Sequence, residues 1–289
     1  MTFKDRLKAR PIVLAPGCYD ALTASLAEAA GFEALYVSGA AIAYTRLARP
    51  DIGLVSMTEV AQTVSLIRDR VTARLIVDAD TGYGNALNMQ RAVRLFERAG
   101  ANAIQIEDQS FPKRCGHLQG KSLIPADEMA GKVKAAADAR NNSDTLIIAR
   151  TDAIAAEGFD QAIARAMLYQ EAGADVLFVE APRSQAELRG VTAALAAAAP
   201  LLANMVEGGE TPMESASGLE AMGYSIAIFP GAIVRVLARA AQDFYTLLRS
   251  DGTSAGFAGR MFDFTALNDV IGTPDMLRLG RAYETFKKP

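Results

Sequence analysis

One rhythm runs through this chain: a short apolar run, a polar residue that closes it, then an amphipathic helix, eight times over. The apolar runs fall at 12–15, 34–37, 75–77, 103–106, 146–149, 176–179, 201–203 and 225–228. They are nearly continuous in Val, Ile, Leu and Ala, as strands buried on both faces of a parallel sheet must be. Between them the apolar period changes to that of a helix, over 20–30, 58–70, 86–99, 126–140, 159–172, 185–198 and 215–222. Gly31, Gly100, Gly173 and Gly223 stand where four of these helices stop, as glycine does at helix C-termini. Eight such units predict an α/β fold, a (β/α)8 TIM-type barrel. A doubly wound sheet is the alternative, but it usually needs fewer strands. A last helix over 232–249 leads into a helical tail, so the expectation is one barrel domain over 1–289 with a tail from about 232. Pro16-Gly17 is expected to end the first strand, and a polar stretch carrying Asp51 follows Ser38-Gly39-Ala40.

Composition narrows the possible partners. With 289 residues, 51% of them hydrophobic, the chain can bury a barrel-sized core. A net charge of −3 argues against a general nucleic-acid binder. Two cysteines, Cys18 and Cys115, make no disulfide framework and fit a reducing compartment. The charged N-terminus has no apolar core for a signal peptide, and no apolar run reaches membrane-spanning length. These features lead to the expectation of a soluble cytoplasmic protein with no nucleic-acid or membrane partner.

In such barrels the active site lies at the C-terminal strand ends. Here those ends carry Ser38, Asp78 and Asp80, Glu107, Arg150, Glu180 and Asn204. Carboxylates gathered at neighbouring ends repel one another unless a cation offsets them. Asp78, Asp80, Glu107 and Asp108 therefore suggest a hard divalent metal, Mg2+ or Mn2+, rather than zinc. Strand alternation is expected to put Asp78 and Asp80 on one side. Lys113, Arg114, Lys121, Arg150 and Arg235 oppose these acids and imply a small anionic substrate with more than one negative group, carboxylate or phosphate. The run Lys113-Arg114-Cys115-Gly116-His117 holds the only histidine and one of the two cysteines. Cations around a thiol lower its pKa and let it exchange protons near neutral pH. Taken alone, those five residues fit a basic surface loop as well as a reactive site.

Six pieces taken together resemble the isocitrate lyase / phosphoenolpyruvate mutase superfamily. They are Tyr36-Val-Ser-Gly-Ala40, Asp78-Ala-Asp-Thr-Gly-Tyr-Gly84, Ile106-Glu-Asp-Gln109, the Lys113 to His117 run, Ala149-Arg-Thr-Asp152 and Ala203-Asn-Met-Val-Glu-Gly-Gly209. They run in the expected order over almost the whole chain. The resemblance implies a barrel whose last helix is exchanged between subunits, a homotetramer, Mg2+ and an enolate intermediate. It implies that Ser38, Gly39 and Ala40, with Tyr36 of the same motif, bind the pyruvyl end of the substrate. Asp78 and Asp80 would hold the metal, with Asp51 and Glu107 contacting it directly or through water. Glu107 and Arg150 would take part in catalysis, and Arg150 would also grip a carboxylate. Cys115 would be the general acid/base at the carbon–carbon bond. Gly116 and His117 would line the same loop, Glu180 and Asn204 would face the second half of the substrate, and Arg235 would meet a further carboxylate.

The Lys113 to His117 motif is similar to that of the lyase branch and is generally missing from the mutases, hydrolases and decarboxylases of the superfamily. Chain length then points to the short methylisocitrate and alkylmalate lyases. Methylisocitrate lyases carry Ser-Gly-Gly at positions 38–40 and an arginine near Phe264. Phenylalanine cannot pair with a carboxylate, and burying one against it costs several kcal/mol. Phe264 is therefore expected to mark an alkylmalate-type substrate. A methylisocitrate lyase, an oxaloacetate decarboxylase, a phosphonopyruvate- or phosphoenolpyruvate-type mutase and a non-catalytic dicarboxylate-binding barrel stand as alternatives.

Overall fold

In the computed structural model, which describes residues 1–116 and 120–284, the eight strands close into a parallel barrel in sequence order, β1 to β8. They are β1 Val13–Cys18, β2 Ala34–Val37, β3 Arg74–Asp78, β4 Ala103–Glu107, β5 Leu146–Thr151, β6 Val176–Val179, β7 Leu201–Asn204 and β8 Ile226–Phe229. Side chains alternate about the barrel wall. Tyr36, Ile76, Ile148, Phe178, Leu202 and Ile226 fill the interior, while Leu35, Val37, Leu75, Val77, Ile104 and Leu177 pack outward against the helices. This two-sided burial explains why the strands read as unbroken apolar runs. Phe3 and Leu7, in and just after a short helix Phe3–Arg6, pack with the interior residues.

The helices start where their caps stand. Asp20 and Thr23 form a capping box on helix Ala21–Ala29, as do Ser56 and Glu59 on Met57–Arg68 and Asn85 and Asn88 on Ala86–Ala99. Gly100 and Gly223 close helices Ala86–Ala99 and Ala216–Met222 at φ 106° and 110°, in the left-handed region where glycine costs least.

One expectation fails locally. β1 does not end at Pro16-Gly17 but runs through it to Cys18, with Pro16 opposite Phe229 and Gly17 opposite Tyr36. Gly17 is there because a Cβ would lie 2.2 Å from the Pro230 carbonyl oxygen, so the pair marks a tight strand seam and not a turn. The stretch after Ser38 is helical over Gly39–Ile42 and, in a wider π-type turn, over Ala43–Leu47, before the polar segment that carries Asp51. The Ser38 hydroxyl caps it by accepting from the Ala41 N–H at 3.2 Å.

The chain divides into two units, Met1–Val234 and Arg235–Pro289. The first contains the whole barrel. The second begins within helix Ala232–Asp251 and continues through a 3-10 turn, Ala255–Arg260, and helices Phe264–Val270 and Thr273–Tyr283. Its own packing centres on Phe257, which meets Phe244 edge-on at 5.4 Å and carries the Arg260 guanidinium 4.3 Å above its ring. Among the described residues no helix is long and apolar enough to cross a membrane.

Candidate active site

The polar strand ends do converge at the C-terminal mouth of the barrel. Asp78 closes β3 and is held from two sides. Its Oδ2 accepts from the Gly39 N–H at 3.3 Å, and its Oδ1 accepts from Gln105 Nε2 at 3.2 Å. Gln105 in turn accepts from the Tyr36 hydroxyl at 2.5 Å. Tyr36, expected at the substrate, thus lies in the barrel interior with its hydroxyl committed to the residue that orients Asp78. Asp80 stands beside Asp78, its N–H donating to Asp78 Oδ1 at 3.2 Å. Strand alternation is not the reason. The strand has ended, and a left-handed Asp80 (φ 47°) turns the chain back. Gly39 fits under both acids, for a Cβ there would sit 3.2 Å from Asp78 Oδ2 and 3.5 Å from Asp80 Oδ1.

The segment after β4 reaches across this mouth. Lys113 is buried, with its ammonium 2.5 Å from Asp51 Oδ1 and 2.6 Å from Asp80 Oδ1. The Cys115 N–H donates to the Asp51 carbonyl at 3.2 Å. Gly116 lies directly on the strand ends: a Cβ there would be 2.3 Å from Arg150 Nη2 and 2.8 Å from the Glu180 carboxyl carbon. Lys121 donates to the Gly116 carbonyl and, at 2.9 Å, to Asp152 Oδ1. Cys115, half-buried and not in a disulfide, is held between these anchors. His117 lies outside the described residues.

Arg150 is the hub. Glu107 is its direct neighbour across the β4–β5 ladder, with Oε2 3.4 Å from Arg150 Nε. Asp152 grips the guanidinium side-on at 2.9 Å and 3.0 Å, and Glu180 Oε2 takes Nη1 at 3.1 Å. The Phe178 ring lies beneath it, 5.2 Å away. Asn204 Nδ2 donates to Glu180 Oε2 at 3.1 Å. Three acids against one guanidinium give a clear sign: despite burial, they hold Arg150 well above its ordinary pKa, and Arg150 with Lys121 holds the buried Asp152 carboxyl below its own.

Charge at the mouth is unbalanced. Asp51, Asp78, Asp80, Glu107, Asp152 and Glu180 face Lys113, Lys121 and Arg150. Burial pushes the Asp80 carboxyl up to about 7, against the pull of Lys113 and with the repulsion of Asp78 and Asp51. Burial also drives Glu107 well above the carboxylate range, although Arg150 and Lys113 oppose it. Glu107 Oε1 and Asn204 Oδ1 are buried with no hydrogen-bond partner among the described residues, a costly state that a ligand would relieve. Among the described residues no three acid, His or Cys side chains converge as a ready ligand set. The all-oxygen donors and the negative surplus nonetheless suit a hard dication whose remaining positions are filled by substrate and water.

Asp108 departs from expectation. It turns away from the mouth and is taken by Thr151, Asp152 N–H and Tyr169, so it is no metal donor. Arg235 and Phe264 belong to the second unit, where Phe264 is 86% exposed. Gln105 and Asp152 were not singled out from the sequence. Gln105 had a visible signal, a lone amide inside the apolar run of β4.

The phosphoenolpyruvate phosphomutase family profile matches residues 3–248. The 2,3-dimethylmalate lyase of Eubacterium barkeri is 41% identical over 282 residues, 98% of this chain and 97% of that protein. The 2-methylisocitrate lyase of Aeropyrum pernix is 47% identical over 275 residues, 95% of this chain and 88% of that one. The crystal structure of a 2,3-dimethylmalate lyase, described as a PEP mutase/isocitrate lyase superfamily member, superposes with a TM-score of 0.91 at 35% identity, covering 97% of this chain and 94% of that one. A closed eight-strand barrel, acids at its β3 and β4 ends and likeness along nearly the whole length agree, and the chain belongs to the PEP mutase/isocitrate lyase superfamily.

Proposed function

We propose that this protein is a Mg2+-dependent carbon–carbon lyase that cleaves a 2-alkylmalate or dimethylmalate into a 2-oxo acid such as pyruvate and a carboxylic acid. The observation that carries this reading is the seating of the cysteine segment. Lys113, Gly116 and Lys121 pin it across the carboxylates of β3 and the guanidinium of β5, and the Cys115 N–H is tied to the Asp51 carbonyl there, which supports its thiol as the group that meets a substrate carbon. The relatives named above as dimethylmalate and methylisocitrate lyases support the same reaction type.

Arg150 and the Ser38-Gly39-Ala40 turn hold the substrate's carboxylates, with Glu180 and Asn204 at its far half. Asp78 and Asp80 hold the metal, with Asp51 and Glu107 in contact directly or through water; Mn2+ would serve in the same place. Bound there, the metal supplies Lewis-acid polarisation and offsets the clustered negative charge. Burial alone favours protonated Glu107, and a dication bound beside it would favour the carboxylate. That carboxylate then takes the proton of the substrate's 2-hydroxyl on Oε1, an atom with no other partner among the described residues. The C2–C3 bond breaks, C2 becomes the carbonyl of the 2-oxo acid, and the electron pair passes into the carboxylate borne on C3. Cys115 delivers a proton to C3 and completes the carboxylic acid.

The second unit fits a homotetramer with exchanged helices. Val236, Tyr245, Met276, Leu277 and Tyr283 are more than half exposed on it, and such apolar surface calls for burial against another subunit. No membrane or nucleic-acid partner enters this reading, and the cytoplasm suits two cysteines that form no disulfide.

Methylisocitrate lyase is the second reading, favoured by the 47% identity to one such enzyme. A lactate-dehydrogenase-coupled assay over alkylmalates, methylisocitrate and oxaloacetate, with and without Mg2+, separates them. The expectation is pyruvate from an alkylmalate at the highest kcat/KM and none in EDTA. Methylisocitrate as much the best substrate would overturn the assignment of Phe264, and EDTA-resistant turnover would remove the metal.

The metal also has a thermodynamic signature. A buried carboxylate with a raised pKa takes up its proton more readily folded than unfolded. For Asp80 stability is therefore lost as pH rises from about 4 through about 7. Metal-free protein is expected to melt at lower temperature at about pH 8 than at about pH 6, and saturating Mg2+ to raise Tm more at the higher pH. Equal Mg2+ shifts at both values would contradict placing the ion on these acids.

A further inference from the structure

Asp108 follows Glu107 directly but serves the opposite side of the barrel wall. Its carboxylate is completely buried and takes four donors: the Thr151 hydroxyl at 2.7 Å, the Tyr169 hydroxyl at 2.8 Å, the Asp152 N–H at 2.9 Å and Arg165 Nη1 at 3.4 Å. Tyr169 and Arg165 come from helix Phe159–Glu171, on the outer side of the strands. Arg165 is itself forked on Glu157 at 2.7 Å and 2.6 Å and donates to the Ile124 carbonyl at 3.0 Å. A buried acid with this many donors is a costly arrangement unless it fixes something.

What it fixes is the chain immediately after Arg150. Asp108 Oδ1 holds the Asp152 N–H, and Oδ2 holds the Thr151 hydroxyl. The side chain of the same Asp152 grips Arg150 Nε and Nη2. A rotation of the 151–152 backbone would swing that carboxylate and carry the guanidinium with it.

We propose that Asp108, braced from the helix by Tyr169, is a positioning residue for Arg150, aiming its guanidinium at the substrate through the backbone of Thr151 and Asp152. Neither residue touches substrate. The proposal rests on the lyase reading only in taking Arg150 as the group that meets a substrate carboxylate. Outer partners that orient metal-binding side chains carry about 10–100-fold in activity, and a loss of the same order is expected for a partner that orients Arg150. A brace that merely holds the fold together would lower Tm and leave Arg150 untouched.

Two readouts test it. The first needs no substrate: the exchange rate of the Arg150 Nε–H in ligand-free protein, followed by 15N NMR and assigned by its loss in Arg150→Lys. Tyr169→Phe and Asp108→Asn are expected to speed that exchange by about tenfold or more, because the Asp152 grip loosens. The second is a kinetic cycle. Asp108→Asn should lower kcat/KM by about 10–100-fold with Arg150 present and by less than about threefold in Arg150→Lys, since coupled residues are non-additive. Unchanged exchange in the folded variants, or the same kinetic loss in both backgrounds, overturns the proposal. If Asp108→Asn does not fold, Tyr169→Phe carries both measurements. Faster exchange in a protein that turns over no dicarboxylate would uphold the positioning role and sink the lyase reading instead.

Discussion

Arg150→Met is expected to destabilise the protein by ~3–5 kcal/mol near neutral pH, the usual cost of leaving buried charges without their partner, and to abolish measurable turnover. Methionine fills much of the volume above Phe178 but leaves Asp152, Glu180 and Glu107 facing one another without the guanidinium. The loss should depend on pH in a definite direction. In the native protein Asp152 has a depressed pKa, so its contribution is fully present above its ordinary value of about 4 and fades as pH falls through the depressed one. The variant lacks most of that contribution at neutral pH. The gap between the two proteins should therefore narrow as pH is lowered toward about 4 and the stranded acids take up protons. Urea denaturation at several pH values measures it. A gap that stays constant with pH would mean that Arg150 acts by packing and not by charge.

Cys115→Ser is expected to lower kcat by about 10²–10⁴-fold, the range carried by a positioned proton donor, with KM changed by no more than a few-fold. Serine is nearly the same shape but a far weaker acid, and Cys115 is half-buried with no disulfide to lose, so Tm should hold. Substrate binding should survive because Arg150, Glu180 and Asn204 are untouched. The coupled pyruvate assay under saturating Mg2+ reads both constants. Full activity in the variant would remove the thiol from the reaction.

The barrel was legible because its strands are buried on both faces, which leaves an unbroken apolar run that nothing else in the chain imitates. Helix limits were legible wherever a capping pair such as Ser56 and Glu59 or a left-handed glycine such as Gly100 stands. The helical stretch after Ser38 was not, since Ser-Gly punctuation reads as a loop and each helical piece is too short to show a period. Strand-end position separated Asp78 and Glu107 from ordinary loop acids, yet could not tell Glu107 from Asp108. Which face each takes depends on Tyr169, 61 residues on. The pairing of Lys113 with Asp51 spans 62 residues and carries no sequence signal of its own. Nor did Gly116 announce its role: a glycine in a basic loop looks like flexibility, and only the Arg150 and Glu180 side chains beneath it show that a Cβ would not fit.

In the proposed reaction a carbon–carbon bond breaks and the departing carbon is protonated within the site. Turnover of 2,3-dimethylmalate in D2O with Mg2+, followed by 1H NMR, tests both steps at once. Cleavage followed by protonation from Cys115 is expected to give pyruvate and a carboxylic acid in equal amounts, the acid carrying a single deuterium at the carbon next to its carboxylate, in one stereochemical sense. Racemic deuteration would place protonation in bulk solvent. No pyruvate from any 2-hydroxy dicarboxylate would contradict the lyase itself.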